Sequence, residues 1–158
     1  LEKIENHKGM IFKISKMYVD GKEDREDLFQ EIIYQLWKSY QNFEGKSQFS
    51  TWLYRVSINT ALTFLNKEKK KTDNASLTEN IDVQDENSDE KETQLEFFYK
   101  AVHELNPVEK ALIFLFLEGQ SHKEIATNLG ITEVNARVKL NRTKEKLQQI
   151  IKKYGYEF

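Results

Sequence analysis

Residues 121–147 read SHKEIATNLGITEVNARVKLNRTKEKL, and this stretch decides the fold. Ser121 followed three residues later by Glu124 is a capping box, in which side chain and backbone at a helix start satisfy each other's hydrogen bonds. Ile125, Ala126 and Leu129 line the helix so started, and Gly130 ends it. Thr132 caps a second, longer helix whose inner stripe is Ala136, Leu140, Thr143, Leu147, Ile151 and Tyr154. Two capped helices joined by a tight turn form a helix-turn-helix, which offers its second helix to the DNA major groove. With Ala136, Leu140 and Leu147 inward, Arg137, Val138, Asn141 and Arg142 project outward. Arginine reads guanine edges and asparagine reads adenine, and either can grip phosphate instead. Residues 133–153 carry seven Lys/Arg against Glu133 and Glu145, a local charge of +5. An ordinary helical hairpin with a solvated basic face shares that composition, but the paired caps and Gly130 favour DNA.

The punctuation continues on the N-terminal side. Asn106, Pro107 and Glu109 supply a cap, a first-turn proline and a capping-box acid for a helix ending at Gly119. Leu95, Phe98, Val102 and Leu105 give the helix before it. Residues 72–93, TDNASLTENIDVQDENSDEKET, have the composition of an acidic linker. Upstream, Ile4, Ile11, Ile14 and Tyr18 mark a first helix stopping near Gly21. Leu28, Ile32, Ile33, Leu36 and Tyr40 mark a second, acid-rich at its start. Ser50 reads as the cap of a long third helix, QFSTWLYRVSINTALTFLNKEKKK (residues 48–71), ending on four lysines within five residues. At 100° per residue, Trp52, Arg55, Asn59, Thr63 and Asn66 share one arc of it, while Leu53, Val56, Ala61, Leu62 and Leu65 fill much of the rest. Such an arc suits a nucleic-acid strand: lysines on phosphates, Trp52 stacking or filling core, Asn59 on a base edge. Phe49 reads as core. Strand signals are nearly absent, so the expected fold is all-α, with domains at 1–71 and 95–158 and a linker at 72–94.

Composition sets the outer limits. The chain has 158 residues, 39% hydrophobic and 32% charged, with a mean hydropathy of −0.70 and no cysteine. Disulfides and thiolate metal sites are excluded, and a reducing compartment fits. The longest apolar run, Ala111–Leu117, is far short of the ~18 residues a membrane span needs. No secretory signal is visible, so a cytoplasmic protein without membrane insertion is expected. The net charge of −2 hides its distribution: +3 over residues 1–71, −7 over 72–94 and +2 over 95–158. Two mildly basic blocks thus flank an acidic bridge, compatible with a nucleic-acid partner. His7, His103 and His122 are too scattered for a metal pair, no nucleophile or phosphate-loop motif is present, and no cofactor is expected.

Residues 23–71, EDREDLFQEIIYQLWKSYQNFEGKSQFSTWLYRVSINTALTFLNKEKKK, resemble region 2 of bacterial sigma factors. Residues 105–147, LNPVEKALIFLFLEGQSHKEIATNLGITEVNARVKLNRTKEKL, resemble region 4. Both in this order, with only a short acidic bridge between, make the chain similar to the extracytoplasmic-function group of the sigma-70 family. The resemblance implies a non-enzymatic initiation factor that binds core RNA polymerase and recognises −35 and −10 promoter elements. Asp27, Gln30 and Glu31 would bind the β′ clamp helices of the polymerase, whose β flap is a further contact. The −10 surface would comprise Lys46, Trp52, Arg55, Asn59, Thr63 and Asn66, with the loop 44–49 accepting a flipped-out base. Arg137, Val138, Asn141 and Arg142 would read the −35 element. The resemblance also implies an anti-sigma factor as partner, and a linker that threads the polymerase's positively charged RNA path. Val138 and Asn141 stand where relatives frequently carry other residues, so promoter preference does not transfer; Val138 suits a thymine methyl. The alternative reading is a stand-alone helix-turn-helix transcriptional regulator. Each block is near the size at which a single core is marginal, and the expectation is that polymerase or an inhibitor, rather than mutual contact, fixes their arrangement.

Overall fold

The computed structural model describes residues 2–43, 49–74 and 90–155, and these form helices joined by short turns, with no strand among them. The first block comprises α1 (Glu2–Glu5), α2 (Lys8–Tyr18), α3 (Lys22–Tyr40) and α4 (Phe49–Asn74). The second comprises α5 (Glu90–His103), α6 (Pro107–Leu117), α7 (His122–Leu129) and α8 (Glu133–Lys153).

Periodicity explains most of this. Ile11 and Ile14 on α2, Leu28, Ile32 and Leu36 on α3, and Leu53 and Ala61 on α4 have no exposed surface and form the centre of a bundle. In the second block α6 is apolar nearly all round; α7 and α8 pack against it and α5 against α8, with Val102, Ile125, Ala136 and Leu140 turned inward. The caps form as the sequence requires. Asn106 and Ser121 each accept from the backbone N–H three residues on, at 2.8 and 3.1 Å, and Glu109 and Glu124 complete both boxes. Thr132 accepts from Asn135 at 3.1 Å. Gly130 adopts φ +68°, a left-handed conformation that costs glycine nothing and ends α7.

Local boundaries depart from expectation in four places. The first helix is broken at Asn6–His7 into α1 and α2. Helix α4 already includes Phe49, so Ser50 lies inside its first turn and is not the cap. Helix α4 continues to Asn74 and α5 begins at Glu90, so helix enters the segment read as linker from both ends; residues 75–89 lie outside the described residues. Finally, Leu95 is 49% exposed and contributes no core.

A larger correction concerns the two blocks, which dock directly on each other. One cluster of buried residues runs from Ile11 and Ile14 through Leu53 and Tyr54 to Leu112, Phe114 and Leu115. Helix α2 packs on α5 and α6, and α4 on α7. Tyr18, 2% exposed, donates its hydroxyl to the Pro107 carbonyl at 2.9 Å. The Tyr54 ring meets Phe114 edge-on, with centroids 5.8 Å apart. The physical reason follows from size: each block alone exposes much of its apolar surface, and docking turns two marginal cores into one.

Candidate nucleic-acid and polymerase interfaces

Helix α8 presents its outer face as the spacing predicts. Arg137, Val138, Asn141 and Arg142 are all exposed, with Lys139 and Lys146 on the flank. Arg137 lies 4.0 Å from Glu133 one turn back, a surface pair of little strength. Lys144 lies over the Phe116 ring at 3.7 Å, and Lys146 pairs with Glu109 at 2.9 Å. Glu109 belongs to the Asn106 capping box. Partial burial raises its pKa, but the bonds from Lys146 and the Asn106 backbone outweigh that and hold it below the usual carboxylate value.

On α4, Arg55, Asn59, Thr63 and Asn66 form an exposed arc, continued by Lys67 and Lys69. The Thr63 hydroxyl bonds back to the Asn59 carbonyl at 2.9 Å. Trp52 is half-buried in an aromatic cluster with Tyr40, Phe43 and Phe49, at centroid separations of 6.1, 5.2 and 5.5 Å. Its indole is thus core filler on one side. Phe49 packs against the core. Lys46 and most of the loop 44–49 lie outside the described residues.

On α3, Asp27 and Gln30 are exposed and Glu31 is half-buried. Glu31 accepts from Gln35 Nε2 at 3.0 Å. Glu31 also lines a groove of about 690 Å³ between α3 and α4, together with Gln35, Asn59, Thr63 and Lys67. Glu31, at one end of the acidic and amide patch of α3, therefore adjoins the polar arc of α4, which linear spacing did not reveal.

The seam between the blocks holds functional-looking residues that sequence reasoning missed. Arg55 Nη2 donates to the Thr127 carbonyl of α7 at 3.4 Å, so this member of the arc is engaged across the seam. Glu118 is bound twice from the first block, by Tyr54 Oη at 3.3 Å and Lys13 Nζ at 3.5 Å. Burial, then the Glu118 charge and hydrogen bond, and then the Glu124 charge push the Tyr54 phenol up to about 12. His103 Nε2 lies 3.0 Å from the Lys16 carbonyl and 3.4 Å from Asp20 Oδ1. A carbonyl only accepts, so Nε2 carries the proton. Burial holds the His103 pKa below 6.5; Asp20 pulls the other way but is 78% exposed and screened by water, whereas Lys110 and Arg25 act with burial. Lys110 itself is 6% exposed, its ammonium 5.6 Å from the Tyr18 ring centroid, and burial lowers its pKa against the pull of Asp20. Only the mixed polar and aromatic character of these positions hinted at an interface.

Among the described residues no cluster of His, Asp or Glu could hold a metal ion, and no helix is long and apolar enough to cross a membrane. An exposed cationic helix face and an exposed polar arc are thus carried by separate helical blocks of one chain, an arrangement compatible with a DNA-binding protein. Residues 4–71 match the family model for sigma-70 region 2 and residues 98–147 that for sigma-70 region 4, and the chain belongs to the sigma-70 family of RNA polymerase sigma factors. Its relatives place it in the extracytoplasmic-function group. It is 28% identical to the sigma-E factor of Haemophilus influenzae, over 83% of this chain and 76% of that one. It is 29% identical to SigG of Mycobacterium tuberculosis, over 80% of this chain but only 42% of the longer relative. Two solved folds are similar: the sigma factor RpoE in complex with the anti-sigma factor NepR from Bartonella quintana, and CnrH in complex with the cytosolic domain of CnrY. The first has a TM-score of 0.74 at 20% identity, covering 96% of this chain and 95% of that one. The second has a TM-score of 0.66 at 16% identity, covering 96% and 86%.

Proposed function

We propose that this sigma factor works in the cytoplasm, binds core RNA polymerase, and brings it to promoters by reading a −35 element with residues 95–158 and opening a −10 element with residues 1–71. Asp27, Gln30 and Glu31 supply the anionic patch for the β′ clamp helices, and the second block meets the β flap. Residues 72–94 bridge the two blocks. Arg55, Asn59, Thr63 and Asn66 hold the separated strand, with Lys46 and the terminal lysines on its phosphates and the outer face of Trp52 available to a base. Arg137, Val138, Asn141 and Arg142 enter the major groove. Bond formation belongs to the polymerase, and the chain needs neither metal nor cofactor. One observation carries the reading: α4 buries Leu53, Ile58 and Ala61 on one side and leaves the polar arc of Arg55, Asn59, Thr63 and Asn66, with Lys67 and Lys69, exposed on the other. The sigma factor RpoE is known in complex with an anti-sigma factor, and an inhibitor of that kind is proposed here too. The stand-alone regulator is not favoured, since it leaves the region 2 match without a role.

Run-off transcription with purified, sigma-free core polymerase and a promoter library tests this reading. Discrete start sites that depend on the chain and vanish in D27R/E31R are expected. No initiation from any promoter would refute it.

A further inference from the structure

The outer face of α8 carries two valines that the core does not use. Val134 is 64% exposed and Val138 39% exposed, while Ala136, Leu140, Thr143 and Leu147 are buried on the inner face, with Ile150, Ile151 and Tyr154 packed against the core beyond them. Helix propensity offers no reason for them, because β-branched side chains are mildly unfavourable in helices and gain nothing when exposed. They also lie within a cationic surface, with Arg137, Lys139 and Arg142 around them. The Thr132 cap fixes where the helix begins and thereby puts Val134 in its first turn and Val138 one turn on. These first turns are the part of a recognition helix that reaches base edges.

We infer that Val134 and Val138 form a paired reader of two thymine methyl groups in the −35 duplex. The C5 methyl of thymine is the apolar feature of the major-groove edge, so an apolar side chain held there by flanking cations has a matched target. Residues i and i+4 are separated by about 6 Å along a helix, close to two base-pair steps of about 3.4 Å each. The two methyls therefore belong to neighbouring or next-neighbouring base pairs, on either strand. Asn141 and Arg142 follow on the same outer face and read or anchor the adjoining positions. Both valines stay exposed with the blocks docked, so the reader is accessible without rearrangement.

This inference rests on the promoter-binding reading and sharpens it to a base-pair preference. The test uses the holoenzyme on a promoter that supports run-off transcription, with each −35 thymine replaced singly by deoxyuridine, which lacks only the methyl. Two positions are expected to lose about fourfold in initiation at limiting holoenzyme, the effect of one buried methyl group each. V138A is expected to abolish the sensitivity at one position and V134A at the other; both sites are exposed, and an unchanged melting temperature verifies that the variants fold. The absence of any methyl-sensitive position overturns the inference and leaves the valines to a protein partner. Sensitivity that persists unchanged in both variants overturns it equally. Failure to initiate on the unmodified promoter would instead refute the broader function.

Discussion

Tyr18 tests whether the blocks dock in solution. Its ring is 2% exposed, its hydroxyl donates to Pro107 at 2.9 Å, and Lys110 lies over its face. Y18F removes one hydrogen bond while keeping the packing, a net loss of about 1 kcal/mol. Y18A also leaves a cavity at the seam, and truncation of a buried aromatic costs about 3–5 kcal/mol. Urea unfolding can be followed by two signals. Trp37 and Trp52 both belong to the first block, so tryptophan fluorescence reports that block alone, whereas circular dichroism reports all helices. In the docked protein the two transitions coincide. In Y18A both midpoints fall and the signals separate, because the blocks no longer unfold as a unit. Were Tyr18 a surface residue on an undocked block, truncation would cost less than about 0.5 kcal/mol. A Y18A loss that small, or transitions that already separate in the parent protein, refutes the shared core.

Further outcomes follow from individual contacts. N106A removes the cap of α6 and should cost about 0.5–2 kcal/mol in urea unfolding; a change within error would mean water replaces the bond at no cost. R142A should weaken −35 binding by the holoenzyme by about 1–3 kcal/mol if the guanidinium reads a guanine, with discrimination relaxed at that base. Uniform weakening across sequences would assign it to phosphate. D27R/E31R should reduce co-purification with core polymerase while unfolding with a loss of only about 1 kcal/mol, that of the Gln35–Glu31 hydrogen bond, since Asp27 is exposed and Glu31 half-buried; undiminished binding would remove the patch from the interface. His103 gives a pH effect of defined sign. Its folded pKa lies below the ordinary 6.5, chiefly through burial, so the unfolded chain binds the proton more readily. Its stabilising contribution is complete above pH 6.5 and is lost as pH falls through the folded value. H103Q should melt with a smaller drop between pH 7.5 and 5.5 than the parent; parallel curves would exclude the effect.

The helix-turn-helix was legible because its determinants are local. Ser121 and Glu124, Gly130, and Thr132 act within a few residues of one another, so their chemistry needs no knowledge of the rest of the chain. The α4 arc was legible for the same reason, since 3.6-residue geometry alone places Arg55, Asn59, Thr63 and Asn66 together. Docking was not legible. Its contacts join residues far apart in the chain, such as Tyr18 with Pro107 and Tyr54 with Glu118. Lys110 is the sharpest failure: nothing local marks a lysine for burial, and only the neighbouring Tyr18 ring and Asp20 charge make its position tolerable. Arg55 is subtler, since its place on the arc was read correctly but its bond to Thr127 belongs to tertiary structure.

The turn at Gly130 and the Thr132 cap draw their hydrogen bonds from residues 121–136, and the first block reaches this motif one turn earlier, where Arg55 bonds the Thr127 carbonyl. Pulling the halves apart would therefore change where the reading head points without altering its shape. Swivel and sequence preference are thus mechanically independent, and under the proposed function a promoter of unusual spacing strains the seam between the blocks rather than the turn.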